Sequence, residues 1–257
     1  MLRKPFFFFI IKAGHHSREK IAKGGKIMNL EFWITTLLIK IFTKKPKFFL
    51  PENINLDPPV VFVANHEKLA GPFIMGTRFP FKCRPWVNDR MLTRKKITDY
   101  VQESFFIGRL RIKSKWKSRF LSKQITPWLY QLIKGTNPIP VYQNQIRIIE
   151  TFKKSVKVLD QNENILIFPD GKGVKNTVFK NVSQFKTGFI YLAKHYWKQS
   201  RKAVRFIPVS INPQLPSVSL GESITYNPEN NYNDEKIRIS EFLMQQIDSL
   251  YYPPALP

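Results

Sequence analysis

The chain has 257 residues, 43% of them hydrophobic and 23% charged, which is the composition of a folded globular protein and excludes a disordered chain. The 42 Lys and Arg against 18 Asp and Glu leave a net charge of +24, a field that favours an acidic partner such as nucleic acid, anionic lipid or a polyanionic substrate. A single cysteine, Cys83, excludes an internal disulfide framework and a multi-cysteine zinc site. The four histidines are His15, His16, His66 and His195, and their placement gives no metal-ligand spacing.

The first apolar run, Phe6 to Ile11, follows Arg3 and Lys4 and is shorter than a signal-peptide core. The string Lys23-Gly24-Gly25-Lys26-Ile27 before Met28 fits a purine-rich ribosome-binding site read as protein. Residues 1–27 are therefore expected to be a non-native or disordered extension, with the true start at Met28. Leu30, Trp33, Ile34, Leu37, Leu38 and Ile41 recur at helical spacing, and lysines cluster behind them. Residues 28–50 are expected to be an amphipathic helix. The pattern fits a helix lying in a membrane interface and equally one packed on the domain. Neither apolar run approaches the roughly 18–20 residues of a membrane span.

From Pro51 onward, short apolar runs alternate with helical patterns. Val60-Val61-Phe62-Val63-Ala64 predicts a buried strand. A loop follows from Asn65, and Pro72 can open a helix. Arg84–Val87 and Ile139–Tyr142 predict short strands, and Ile165–Phe168 a buried one. Ile146–Leu159, Thr187–Trp197 and Asp234–Leu250 have helical periods. Val204–Ile211 predicts another strand. Arg94–Lys123 holds ten Lys and Arg against Asp99 and Glu103. There Lys113, Lys115, Lys117, Arg119 and Lys123 interleave with Trp116, Phe120 and Leu121, and Trp128 follows. A helix here would carry an aromatic side and a basic rim. That suits anionic lipid or an acidic carrier protein, and equally a solvated basic face over core aromatics. The alternation predicts an α/β domain over 51–257, with a mostly parallel central sheet flanked by helices. Ligands of such sheets bind beyond the carboxyl ends of the strands.

Two strand ends carry reactive side chains. Asn65-His66 follows the 60–64 strand, and a histidine there can take a proton from an alcohol at neutral pH. Alone, such a histidine is more often structural. Phe168-Pro169-Asp170-Gly171-Lys172-Gly173 sets an acid, flexible glycines and a lysine after another strand. Glycine lets the main chain approach a ligand, and lysine offers a point charge to phosphate.

In order, the chain shows Asn65-His66, then Pro138-Ile139-Pro140-Val141-Tyr142-Gln143. Phe168-Pro169-Asp170-Gly171, Phe185-Lys186-Thr187-Gly188 and Phe206-Ile207-Pro208-Val209 follow. This ordered set resembles the glycerolipid acyltransferases that acylate 1-acylglycerol-3-phosphate, whose motifs are NHxxxxD, a strand ending in arginine, FPEGTR, an FKxG-like segment and a VPV-like strand. The likeness covers roughly Pro51 to Tyr226. It implies an acyltransferase of phospholipid biosynthesis with His66 as general base. The acceptor is a lysophospholipid, the acyl donor is acyl-CoA or acyl-carrier protein, and no resident cofactor or metal is needed. It implies substrate-binding roles for Asn65, Gln143, Asp170, Gly171, Lys172 and Lys186, with Arg147 standing in beside Gln143. It implies a peripheral protein at the cytoplasmic face of an anionic membrane.

Three positions depart from the pattern. The motif aspartate is Gly71, the second motif's arginine is Gln143, and the FPEGTR arginine is Gly173 between Lys172 and Lys175. An aspartate at 71 is expected to be tolerated only if its space is empty. These departures keep open a relative that binds lipid without turnover. The charge alone also allows a nucleic-acid-binding protein, although no helix-turn-helix, zinc-finger or RRM signature is present. The Lys-, Asn-, Ile- and Phe-rich composition suits an AT-rich bacterial genome.

Overall fold

The computed structural model describes residues 45–67, 70–108, 111–144, 146–175 and 178–252. The expected extension over 1–27 and the helix proposed from residue 28 lie outside the described residues up to residue 44. The end of that helix is corrected. Lys47–Phe49 form a strand, β1, because Phe48 packs into the apolar core beneath the sheet.

Val61–Ala64 form β2, and all four side chains are buried. Such a run, without a polar face, fits a strand covered on both sides. It lies between two parallel partners. On one side is β5 (Asn164–Ile167), with Val61 opposite Ile165; on the other is β8 (Arg205–Asn212), with Val61 opposite Phe206. Beyond β5 come β3 (Cys83–Asn88) and β4 (Ile139–Val141), both parallel. Beyond β8 come β9 (Ser217–Leu220), antiparallel to β8, and then β1, parallel to β9; β10 (Ile224–Thr225) also pairs with β8. The eight-stranded sheet therefore runs β1-β9-β8-β2-β5-β3-β4 with β10 beside β8. Strands β9 and β10 have no apolar run of their own, and their pairing with β8 creates them.

Alternate side chains of each strand face opposite sides. Val61, Val63, Ile165 and Ile167 enter one core with α4 (Ile148–Asp160), α5 (Tyr191–Ser200) and α6 (Tyr232–Ser249). In α6, Ile239, Leu243 and Ile247 are buried, with Phe242 packed at the margin. Phe62, Ala64 and Leu166 enter the second core with Met75 of α1 (Ala70–Arg78) and with Phe79 and Phe81. Asn164 clips the strands where they begin. Its Oδ1 accepts from the Val60 N–H at 3.0 Å, and its Nδ2 donates to the Lys82 carbonyl at 3.1 Å.

The basic segment forms a helical hairpin between β3 and β4. It comprises α2 (Arg94–Tyr100), continued by a wider π-helical stretch over Val101–Ile107, and α3 (Lys115–Gly135). Thr93 caps α2 and Ser114 caps α3 through side-chain oxygens. Pro127 lies inside α3 without ending it. Asp170–Lys175 form β6, which pairs antiparallel with β7 (Ser183–Phe185).

Candidate active site at the carboxyl edge of the sheet

The parallel pairing of β2 with β8 stops at Ala64 opposite Val209. Asn65 continues it with a side chain instead of main chain. Its Oδ1 accepts from the Ile211 N–H at 2.8 Å, and its Nδ2 donates to the Ile211 carbonyl at 3.0 Å. The second Nδ2 proton reaches Glu67 Oε1 at 3.2 Å. The amide is 1% exposed, so each of these bonds satisfies a group that would otherwise be costly to bury. Asn65 thus acts as a splice that fixes where the chain leaves the sheet.

His66 follows at once and is exposed. Its main-chain N–H donates to Asp170 Oδ2 at 2.7 Å. Its ring stands edge-on to Phe168, with centroids 5.3 Å apart. Both contacts come from the chain leaving β5, the strand next to β2. Asp170 therefore holds the histidine's backbone. The other oxygen, Oδ1, is buried with no hydrogen-bond partner. Burial pushes the Asp170 carboxyl up to about 6, against the lowering effect of the His66 N–H, and the Glu67 charge adds to the rise.

Glu67 has φ 41°, in the left-handed region that costs a side-chain-bearing residue energy. Its carboxylate is committed to Asn65 and to the Tyr251 hydroxyl. Burial, and then the Glu67 charge and hydrogen bond, push the Tyr251 phenol up to about 12. The turn is held from three sides: by β8 through Asn65, by β5 through Asp170, and by the C-terminal Tyr251 through Glu67.

Position 71 is not a vacancy left by a missing aspartate. A Cβ on Gly71 would lie 2.3 Å from the His66 carbonyl oxygen and 3.1 Å from that of Asn65. The main chain of the histidine turn rests directly on the start of α1. The space is filled, and an aspartate does not fit there.

The remaining expected residues divide into two groups. Lys186 is exposed, and its N–H donates to the Pro169 carbonyl at 2.9 Å. The β6–β7 pairing sets its neighbour Phe185 opposite Asp170. Asn65, His66, Asp170 and Lys186 are therefore brought together. Gly171 and Lys172 continue β6 from Asp170. Gln143 and Arg147 lie past the end of β4, three strand spacings from β2, or about 14 Å across the same edge. Both are exposed. Arg147 stacks on the Tyr142 ring at 3.9 Å and approaches Glu150 at 3.6 Å. Sequence reasoning missed Ile211 and Tyr251 as supports of the turn. Both come from distant parts of the chain and carry no local signal.

A model of the family described as Acyltransferase matches residues 45–212, which includes every one of these groups except Tyr251. The chain belongs to the acyltransferase family. Among solved structures, its fold is similar to that of the 1-acyl-sn-glycerophosphate (LPA) acyltransferase PlsC from Thermotoga maritima. The TM-score is 0.52 at 14% identity, over 98% of this chain and 90% of that one. No curated protein matches the chain. Among the described residues no helix is long and apolar enough to cross a membrane.

Proposed function

We propose that the chain transfers a fatty acyl group from acyl-CoA or acyl-carrier protein to the free hydroxyl of a lysophospholipid, with 1-acylglycerol-3-phosphate as the acceptor. The observation that carries this reading is His66, exposed at the carboxyl edge on a turn whose main chain is fixed by Asp170 and Asn65. The imidazole takes the proton of the acceptor hydroxyl. The oxygen attacks the thioester carbonyl carbon, and the carbon–sulfur bond breaks. The thiolate leaves with the proton returned by the imidazolium, giving an ester and a free thiol. A base held in place supplies roughly 10²–10⁴ in rate. Fixing the main chain keeps the base within reach of the hydroxyl in the absence of a motif aspartate. Lys186 offers charge to the acceptor phosphate near His66, Lys172 belongs to β6 directly after Asp170 and Gly171, and Gln143 and Arg147 border the far side of the edge. The enzyme works at the cytoplasmic face of an anionic membrane as a peripheral protein.

Gly71 favours a second reading, a relative that binds lipid without turnover. Acyl transfer to lysophosphatidate, from each donor in turn, separates the two. His66→Ala is expected to lower the rate roughly 10²-fold or more without loss of folding, because the ring is exposed. An unchanged rate in that variant sinks the assignment of the base, and no transfer by the native chain from either donor favours the second reading.

A further inference from the structure

The α2–α3 hairpin carries an exposed apolar and aromatic face on α3. The buried residues of α3 are Ser118, Ser122, Thr126, Gln131 and Leu132, of which only Leu132 is apolar. Leu129, Tyr130 and Ile133 pack half-buried against a small apolar cluster of Ile97, Val101 and Phe106, while the other large apolar side chains, Leu132 apart, face outward. Trp116 is 75% exposed, Phe120 52% and Trp128 49%, with Leu121 and Ile125 exposed beside them. Trp116 and Phe120 stack on each other in the open, with centroids 5.9 Å apart. Scattered exposed apolar residues need no explanation, but a contiguous set on one element marks an interaction surface.

The buried hydroxyl seam adds polar contacts to that apolar cluster. Ser118, Ser122 and Thr126 repeat every four residues and form one narrow stripe. The Thr98 and Thr126 hydroxyls meet at 2.9 Å, and Gln102 Nε2 donates to Ser118 Oγ at 3.3 Å. Arg119 donates to Gln102 Oε1 at 3.1 Å and pairs with Asp99. Small hydroxyl residues at four-residue spacing, with polar side chains bridging the helices, are how helices pack where the surroundings are lipid. In water this arrangement spends buried positions on hydroxyls and leaves rings exposed.

Charge selects the lipid. Between Ser104 and Lys123 there are seven Lys and Arg and no Asp or Glu. Lys113, Lys117 and Lys123 are exposed among the outward rings. Aromatic rings with lysines around them are the composition of a headgroup-level anchor.

The hairpin is also rooted at the reaction edge. It departs just beyond Asn88, the carboxyl end of β3, on the same edge as His66. Arg94 at its base lies over the Tyr130 ring at 5.3 Å, and Gln102 meets Ser118 further along. The two arms therefore run antiparallel, with Trp116 and Phe120 toward the tip.

We propose that the tip of this hairpin docks into the headgroup layer of an anionic lipid bilayer, seating Trp116 and Phe120 at the acyl boundary and Lys113, Lys117 and Lys123 among the lipid phosphates. The proposal rests on the reading of the chain as an enzyme of membrane lipids. It gives that reading a partner surface: the lipid acceptor leaves the bilayer beside the edge that carries His66.

The test is partition of the full chain onto vesicles of phosphatidylcholine containing phosphatidylglycerol, compared with phosphatidylcholine alone. Trp116→Ser/Phe120→Ser is expected to weaken partition onto the anionic vesicles at least about tenfold. Lys113→Glu/Lys117→Glu is expected to weaken it at least about fivefold per position, and less at high salt. Both variants should keep the native melting temperature within a few degrees and should turn over a dispersed short-chain acceptor at the native rate. The Trp116 emission should shift to the blue on anionic vesicles and be quenched by brominated lipid. Unchanged partition of both variants overturns the proposal. So does a variant that binds vesicles normally and loses only transfer from acyl-carrier protein, which would assign the face to an acidic protein. Vesicle binding is read without catalysis, so failure of the proposed reaction leaves this result separate.

Discussion

The sheet and the hairpin follow opposite rules within one chain. In β2 and β5 nearly every buried side chain is aliphatic or aromatic, and the single buried amide of β5, Asn164, is fully hydrogen-bonded. In α3 four of the five buried side chains are polar, and the rings stand outside. The first arrangement is what water selects, because it removes apolar surface at about 25 cal/mol per Å². In the second, Ile97, Val101 and Phe106 form only a small apolar cluster between the arms. The sheet holds the reaction edge in place, while the hairpin carries the exposed surface that we propose meets lipid.

Substitutions at the two regions should therefore differ sharply in their effect on stability. The largest effect is expected at Gly71→Asp. Its Cβ would meet main-chain atoms of the histidine turn at 2.3 and 3.1 Å, and backbone cannot move aside as a flexible side chain can. A loss of about 3 kcal/mol or more is expected, measured as the shift in urea midpoint. An unchanged midpoint would show that the turn and α1 separate easily.

Asn65→Ala comes next. It strips the Ile211 N–H and carbonyl of their buried partners, at about 2–3 kcal/mol. Because His66 follows directly, acyl transfer should fall in the same variant even where the protein remains folded. Stability lost with full activity retained would mean that Asp170 alone holds the turn.

Asp170 gives a pH signature. Its folded-state value of about 6 lies above the ordinary carboxylate range, so the folded protein holds this proton more tightly than the unfolded chain. The stability contributed is present in full below about pH 4 and is lost as the pH rises through about 6. The expected change is about 3 kcal/mol. Asp170→Asn keeps an acceptor for the His66 N–H and removes the titration. Its unfolding free energy should be flatter than native between pH 4 and 7, and identical slopes would remove burial of the carboxyl from the account.

The smallest effect is expected where the side chains are largest. Trp116→Ser/Phe120→Ser should change the unfolding free energy by no more than about 0.5 kcal/mol per position. A much larger loss would show that these rings are covered in the folded chain, and the contrast with the sheet would disappear.

The sequence alone exposed the strands at 61–64, 164–167 and 205–212 because each holds a short stretch dominated by apolar residues, a local signal. The helices at 148–160 and 232–249 were legible for the same reason, through their period. The histidine and the acid could be located because both follow such runs and the ends of parallel strands face ligands. The strands β1, β9 and β10 were not legible. They are short and carry mixed residues; β9 and β10 pair with β8, and β1 pairs with β9. The β6–β7 hairpin was hidden too, since Asp170-Gly171-Lys172-Gly173 has turn composition and pairs only because Ser183–Phe185 is brought alongside.

At the site, residue identities came from the sequence and relationships came from the fold. His66 and Asp170 are 104 positions apart, and no spacing rule predicts that a carboxylate from one strand end takes the backbone N–H of another. Gly71 looked like a deletion of function in one dimension. In three dimensions its missing side chain is what lets the His66 main chain rest on α1. The basic aromatic segment was visible as composition, but only packing decided which side of α3 is buried, because helical periodicity marks the apolar face without saying whether that face meets protein, water or lipid. What sequence determined was therefore the local apolar pattern and the reactive residues at its ends. What tertiary structure decided was every contact between distant segments, since those depend on which main-chain groups remain unpaired once the central strands have found each other.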